Sequence, residues 1–272
     1  IPVIVGKVTV STVHALDYRQ SKWGRVAKHL LHKGESRAVR SASATIAVSK
    51  LMAEELSSKY SSKVVYIPNG ATLRETPPFK DLLGSGIESG RFILTVGRFI
   101  VERGFDTLLE AWSEINTEMK LVIVGDERFE VEYARRLHEI ADDRVIFPGY
   151  VTGERLDELY AHCAFYILPS LVEGLPISLI EAMSFSRPVL ISDIPENLEV
   201  AGKIGAVFRG GDKIDLARGV REMIALDDGA ASRMGSLGRK RVEDEYSWDS
   251  VAERTEKFYL SLMNRVKKHP RT

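Results

Sequence analysis

Short runs of apolar, β-branched and aromatic residues alternate along this chain with helix-patterned stretches, and that alternation leaves few folds open. The runs are Thr45–Val48, Val64–Ile67, Phe92–Val96, Lys120–Val124, Val145–Phe147, Ala164–Leu168, Pro188–Ile191 and Ala206–Phe208. Helical patterns fall between several of them, over 50–60 behind a capping Ser49, over 130–140 and over 154–162. Apolar runs of this kind predict strands buried on both faces, and strand–helix alternation predicts parallel order, so the fold class is α/β with open sheets covered on both sides. Val8–Val13 is a further β-branched strand that delivers His14 to its end. Residues 71–90, with Pro77, Pro78, Gly84, Gly86 and Gly90, predict a connection between two domains. Asp193 is expected to cap the turn carrying Pro195. The stretch 212–266 predicts three helices that pack through Leu216, Val220, Ile224, Trp248, Val251, Phe258 and Tyr259, with Lys267–Arg271 as a frayed tail.

Composition removes several function classes. The chain has 272 residues, 44% of them hydrophobic, which suffices for a sizeable core. Its 38 basic and 38 acidic side chains give no general electrostatic reason to bind nucleic acid, and no apolar run approaches a membrane-spanning length. One cysteine, Cys163, excludes an internal disulfide, predicts a buried small apolar residue and fits a reducing, cytoplasmic setting. The first residue is Ile1, and Ile1–Val5 lacks the pattern of a signal peptide, so the chain is expected to begin mid-protein. His29 and His32 stand at i, i+3 without an acidic or cysteine partner, which predicts no metal site. Neither Gly97…Gly104 nor Gly125-Asp126 satisfies G-x-G-x-x-G, and no Walker sequence occurs, so no cofactor is expected.

The richest chemistry lies in Ser170-Leu-Val-Glu-Gly-Leu-Pro-Ile-Ser-Leu-Ile-Glu-Ala-Met183. It follows the Ala164–Leu168 strand, and Pro176 suits the first position of a helix on which Ile177, Ile180 and Met183 recur. A helix opening beyond a buried parallel strand offers unpaired N–H groups and a partial positive charge, which suit a phosphate. Glu173 precedes that opening, and Glu181 lies more than a turn inside, where a carboxylate can accept from the vicinal hydroxyls of a sugar. By spacing alone, an ordinary loop acid and an ordinary helix acid read the same way.

Glu173-Gly-Leu-Pro-Ile-Ser-Leu-Ile-Glu181, followed by Ala182-Met183 and Arg187-Pro-Val-Leu190, resembles the Glu-x7-Glu motif of the family 4 glycosyltransferases, retaining enzymes of the GT-B fold. The resemblance implies that Glu173 lies near the donor sugar and leaving phosphate. It places Glu181 at the nucleotide ribose, and the backbone at Gly174, Leu175, Ile177 and Ser178 around sugar and pyrophosphate. Pro176 stands where many relatives carry glycine and removes one backbone donor. Phe92-Ile-Leu-Thr-Val-Gly-Arg98 with Arg103-Gly104 resembles the family's Gly-Arg…Lys-Gly element, so Arg98 and Arg103 are implied to clamp the pyrophosphate, with arginine in place of the usual lysine. His14 is implied to reach toward the donor sugar, although Ala15 stands where glycine is frequent, and by spacing alone a satisfied structural histidine fits the strand end equally well. The Gly149-Tyr150-Val151 loop is implied to flank the base, with Tyr150 either stacked on it or packed on the core.

The resemblance implies a GT-B-like α/β architecture: a complete C-terminal Rossmann-like lobe and an incomplete N-terminal one. Residues 1–75 form the partial acceptor-side lobe, 76–90 the linker, 91–247 the nucleotide-sugar lobe, and 248–272 a helix returning to the first lobe, with the tail. The implied function is transfer, with retention, of a sugar from a nucleotide diphosphate sugar to the hydroxyl of a glycan, a lipid-linked or a small-molecule acceptor, without metal or cofactor. About 75 residues before the linker fall short of the ~100 that an open α/β lobe needs. The alternative is therefore a non-catalytic fragment that binds nucleotide diphosphates or another chain, a homo-oligomer included, through exposed sheet edge. A sugar-nucleotide epimerase of similar fold is a third reading, and the Glu-x7-Glu pattern fits a transferase better. From 22 to 40, Lys22, Arg25, Lys28, Lys33, Arg37 and Arg40 interleave with Trp23, Val26, Leu30 and Leu31. This predicts a solvated face beside a buried stripe interrupted at Gly34; peripheral contact with the inner face of a membrane is the second reading.

Overall fold

The computed structural model describes residues 8–19, 23–81, 84 and 86–268, apart from the side chains of Asp17 and of 265–268. Contacts divide the chain into two units: Ile1–Gly70 with Glu173–Leu175 and Glu245–Thr272, and Ala71–Val172 with Pro176–Asp244. The reading of Ile1–Val5, the Lys22 position and the tail from 269 onward lie outside the described residues.

In the first unit, β1 (Val10–Val13), β2 (Ala44–Ala47) and β3 (Val64–Tyr66) make a parallel sheet in the order β1-β2-β3. Helix α1 (Arg25–Ser41) joins β1 to β2, and α2 (Lys50–Tyr60) joins β2 to β3. Ser49 caps α2 by accepting from the Met52 N–H at 3.2 Å, as its position before a helical run requires. Gly34 does not interrupt α1, because a single glycine lowers helix propensity without breaking the hydrogen-bond ladder. The buried stripe expected there is present in part: Trp23 and Leu31 are half-buried and Val39 is buried, whereas Val26 is 76% and Leu30 62% exposed.

The second unit carries a six-stranded, all-parallel sheet in the order β6-β5-β4-β7-β8-β9. The strands are β4 (Phe92–Val96), β5 (Lys120–Val124), β6 (Val145–Ile146), β7 (Phe165–Leu168), β8 (Val189–Ser192) and β9 (Ala206–Phe208). Between them run α3 (Phe105–Trp112), α4 (Val131–Ile140), α5 (Glu154–His162), α6 (Ile177–Ser184) and α7 (Pro195–Ala201), and α8 (Lys213–Ile224) and α9 (Asp228–Arg241) follow β9. Ile93, Leu121, Ile123, Phe165, Ile167 and Leu190 of the strands pack with Phe105, Leu108 and Trp112 of α3 and with Leu216 and Val220 of α8. The strand order reverses between β4 and β7, the switch point of a doubly wound sheet, and ligands bind such sheets outside the carboxyl ends of the strands at that point.

The segment before β4 is laid along α5 within this unit. His162 Nε2 meets the Pro77 carbonyl oxygen at 2.7 Å, the Gly90 N–H donates to the His162 carbonyl at 2.8 Å, and the Lys80 N–H donates to the buried Glu158 carboxylate. Asp193 does not cap α7; its carboxylate accepts from the Gly210 N–H at 2.8 Å, and α7 starts at Pro195, whose preset φ suits a first turn. Cys163 is fully buried, and burial pushes its thiol up to about 12.

A π-helical turn (Val242–Tyr246) leads to α10 (Trp248–Lys268), which belongs to the first unit. There Val251 packs with Ile46 and Ile67. Trp248 and Tyr259, expected to be packing positions, are half exposed; Val251 and Phe258 carry that contact instead. Lys267 and Lys268 continue the helix. Among the described residues, no helix is long and apolar enough to cross a membrane.

Candidate functional site

Two loops rise from the switch point. The first leaves β4 through Gly97 and Arg98 and closes in a 3-10 turn, Val101–Arg103, that ends on Gly104 at φ +66. A side chain at Gly104 would strike the Pro169 carbonyl oxygen, so glycine is required there both by conformation and by space. The Leu171 N–H donates to the Glu102 carbonyl at 2.8 Å, which stitches this loop to the one leaving β7. The second loop is pinned from below: Ser192 Oγ donates to the Ser170 carbonyl at 2.5 Å and is held by Asn197 Nδ2 at 2.9 Å, with both Ser192 and Asn197 fully buried.

Arg103 lies against this floor with its Nη1 3.4 Å from Ser170 Oγ. Burial lowers its pKa, the nearby Arg98 charge adds to that effect, and Tyr166 opposes it. The guanidinium stays charged in a site of reduced polarity, where a second cation makes an anion the natural ligand. Arg98 is exposed and rests over the Phe129 ring at 5.1 Å.

Helix α6 opens on the other loop. Pro176 is its N-cap rather than its first helical residue, and the Ile180 N–H to the Pro176 carbonyl, 3.2 Å, begins its ladder. The N–H groups of the first turn therefore precede that ladder, and no acidic residue occupies the turn. Tyr166, buried in β7, donates to Ser178 Oγ at 2.8 Å, which ties the start of α6 to the strand below.

Glu181 lies one turn further along α6, and burial raises its pKa. The phenol of Tyr160 on α5 donates to Glu181 Oε2 at 3.0 Å and opposes that rise, as does Arg74, while Asp157 adds to it. No hydrogen bond to Oε1 is found among the described residues. A part-buried carboxylate with one oxygen held and one open is an acceptor for a hydroxylated ligand.

The structure thus brings Arg98, Arg103, Ile177, Ser178 and Glu181 together around the switch point of the second unit. Val151 is buried in that unit. Tyr150 is 71% exposed, which rules out packing on the core and leaves its ring available for stacking. Nearby, the Arg128 guanidinium holds the Asp126 carboxyl down at about 2. His14, Glu173, Gly174 and Leu175 belong to the first unit. There His14 Nδ1 is 3.4 Å from Asn69 Nδ2, and Gly174 approaches the His14 carbonyl so closely that a Cβ would overlap it.

Tyr160, Tyr166 and Ser170 carry contacts that sequence reasoning did not assign. Their signal was the hydroxyl itself: a tyrosine in a buried strand or on a buried helix face needs a polar partner. A cavity of about 580 Å³ in the second unit, lined by Arg91, Phe165, Arg187 and Met223 among others, lies at the amino ends of the strands, away from these groups. Among the described residues, no group of three or more His, Cys, Asp or Glu side chains is placed to hold a metal ion.

Comparison with known proteins fits this arrangement. Residues 90–225 match the family model described as glycosyl transferases group 1, and residues 4–75 match that of glycosyltransferase family 4. An uncharacterized glycosyltransferase of Methanocaldococcus jannaschii is 28% identical over 237 residues, covering 80% of this chain and 60% of the relative. The alpha-maltose-1-phosphate synthase of Mycobacterium tuberculosis is 28% identical over 254 residues, covering 84% of this chain and 65% of the relative. The chain therefore spans less than two thirds of the length of either relative. Among solved structures, sucrose-phosphate synthase from Thermosynechococcus elongatus superposes with a TM-score of 0.79 at 25% identity, covering 94% of this chain and 68% of that one. HepE of Anabaena, solved in complex with UDP and glucose, superposes with a TM-score of 0.82 at 18% identity, covering 96% of this chain and 73% of that one. The α/β fold is of the GT-B type.

Proposed function

Because this chain belongs to the glycosyl transferases group 1 family, we propose that its second unit holds a nucleotide diphosphate sugar and that the sugar passes, with retention, to an acceptor hydroxyl. The observation that carries this reading is the pairing of Arg98 with the half-buried Arg103 on one side of the switch point and the open first turn of α6 on the other. A diphosphate leaving group gains negative charge as the glycosidic bond breaks. Two guanidiniums fixed before the reaction stabilise that charge without reorganisation. Glu181, one turn along, accepts from the ribose hydroxyls and sets the nucleoside in register. Structural neighbours solved with UDP and with UDP-glucose support a nucleotide sugar as donor.

The acceptor is a glycan, a lipid-linked sugar or a small alcohol. Exposed Val26 and Leu30 beside Arg25, Lys28 and Lys33 on α1 favour an acceptor presented at an anionic surface. The test is turnover: UDP-, GDP- and ADP-sugars are mixed with the chain and a panel of such acceptors, and free nucleoside diphosphate and the anomeric proton coupling of the product are followed. Release of diphosphate with product of the donor's own anomeric configuration supports the reading. Inverted product refutes retention.

Nucleotide binding without turnover refutes transfer by this chain and leaves donor binding standing.

A further inference from the structure

Tyr160 is placed to control the Glu181 carboxylate. Its hydroxyl donates to Glu181 Oε2 at 3.0 Å, and its ring is 1% exposed, stacked on Phe185 at 6.2 Å and 9° and close to Tyr166 at 5.9 Å. A fully buried phenol packed against two aromatic rings cannot follow a wandering carboxylate, so the carboxylate is held to the phenol. We infer that Tyr160 is a positioning residue for the nucleotide: it anchors Glu181 Oε2 so that the ribose hydroxyls are received at Oε1. The inference rests on the donor-binding reading given above.

The surroundings of Glu181 sharpen the role. Burial and the Asp157 charge on α5 favour the protonated carboxyl, which is the poorer acceptor, while Tyr160 and Arg74 favour the carboxylate. Tyr166 on β7 also feels the Glu181 charge. Arg74 is shared, since its guanidinium pairs with Asp157. Tyr160 is thus the neutral group among these that both fixes the carboxylate in space and keeps it ionised.

Calorimetric titration of UDP, GDP and ADP and their 2′-deoxy forms into the chain and its Tyr160→Phe variant tests this. Phenylalanine keeps every ring contact and removes only the hydroxyl. The wild-type chain is expected to prefer a ribonucleotide over its 2′-deoxy form by about tenfold, the worth of one hydrogen bond to a charged group. Tyr160→Phe is expected to weaken ribonucleotide binding about three- to tenfold, to change 2′-deoxynucleotide binding less than about twofold, and to raise the pH at which binding is half-maximal. In a Glu181→Ala background the same substitution is expected to change neither affinity. A purely structural role would weaken both nucleotides alike and would persist without Glu181. Either result, or wild-type affinity in Tyr160→Phe, overturns the inference. Absence of any nucleotide binding by the wild-type chain overturns instead the reading on which it stands.

Discussion

The close approach of Gly97 and Gly125 beneath the arginine loop sets a sharp prediction. Gly125 follows β5, where its N–H donates to the Gly149 carbonyl at 3.1 Å, and its φ is not in the left-handed region. Alanine is therefore tolerable by conformation and not by space. A Cβ there would overlap the Gly97 carbonyl oxygen and come within 2.5 Å of Phe99 Cε1. Carbon contacts settle at roughly 3.5–4.0 Å, so the ring and the Gly97 peptide must retreat by about 1 Å. The ring has nowhere to go: Phe99 is fully buried and meets Phe105 at 5.5 Å and Phe147 at 5.8 Å, edge to face. Gly125→Ala is expected to cost about 3 kcal/mol, the upper end for overpacking. Gly149 is the control. Its φ is +74 and nothing lies within 4 Å of a Cβ, so Gly149→Ala carries only left-handed strain, about 1 kcal/mol. At about 2–4 °C per kcal/mol for a unit of this size, thermal unfolding should fall by roughly 6–12 °C in the first variant and 2–4 °C in the second. Nucleotide binding should fall with the first, because the Gly97 peptide that moves carries Arg98. Equal losses, or a larger loss at Gly149, would refute the packing argument.

Three further outcomes follow from the same structure. Burial raises the Glu181 pKa above its ordinary 4.5, so the folded chain holds that proton to higher pH than the unfolded chain does. The contribution of Glu181 to stability is fullest below 4.5 and is lost as pH rises through the folded value. The melting temperature of the wild type minus that of Glu181→Gln should therefore decline with pH across this window, and a rising difference contradicts the assignment. Cys163, with its thiol near 12, should resist a thiol reagent at pH 8 in the folded chain and react only as fast as the chain opens; prompt labelling contradicts its burial. Helix α1 should draw the chain to vesicles rich in phosphatidylserine at low salt, at about 1 kcal/mol per basic residue near the surface, and Val26→Glu should weaken that binding. Equal binding to neutral vesicles, or none, contradicts the surface reading.

Much of the fold was legible because strands buried on both faces carry unbroken apolar runs. Phe92–Val96, Lys120–Val124 and Ala206–Phe208 stand where those runs place them, as do the helices Lys50–Tyr60 and Glu154–His162. What the runs do not encode is long-range pairing. Asp193 reads as a local cap, yet its partner is the N–H of Gly210, brought close by the pairing of β8 with β9. Gly34 reads as a break, yet one glycine is a small penalty within a helix of 17 residues. Val26 and Leu30 read as a buried stripe from periodicity, which cannot say whether anything covers that face. Within the candidate site, the motifs name Arg98, Arg103 and Glu181, and the strand and helix runs around them set their place beside the switch point. Tyr160 was not legible, because helical periodicity counts a tyrosine as one more apolar residue and its hydroxyl partner lies 21 residues away.

In the proposed function the second unit grips a nucleotide at two ends, with Arg98 and Arg103 on the diphosphate and Glu181 on the ribose. Comparative calorimetry tests it most directly: the affinities of a nucleoside diphosphate, its monophosphate and its nucleoside are measured for the wild-type chain, Arg103→Ala and Glu181→Ala. Arg103→Ala is expected to remove the preference for diphosphate over monophosphate and to leave nucleoside binding unchanged, whereas Glu181→Ala is expected to weaken all three by a similar factor. If Arg103→Ala weakens nucleoside and diphosphate alike, or Glu181→Ala weakens the diphosphate and spares the nucleoside, these residues do not grip the two ends of the nucleotide.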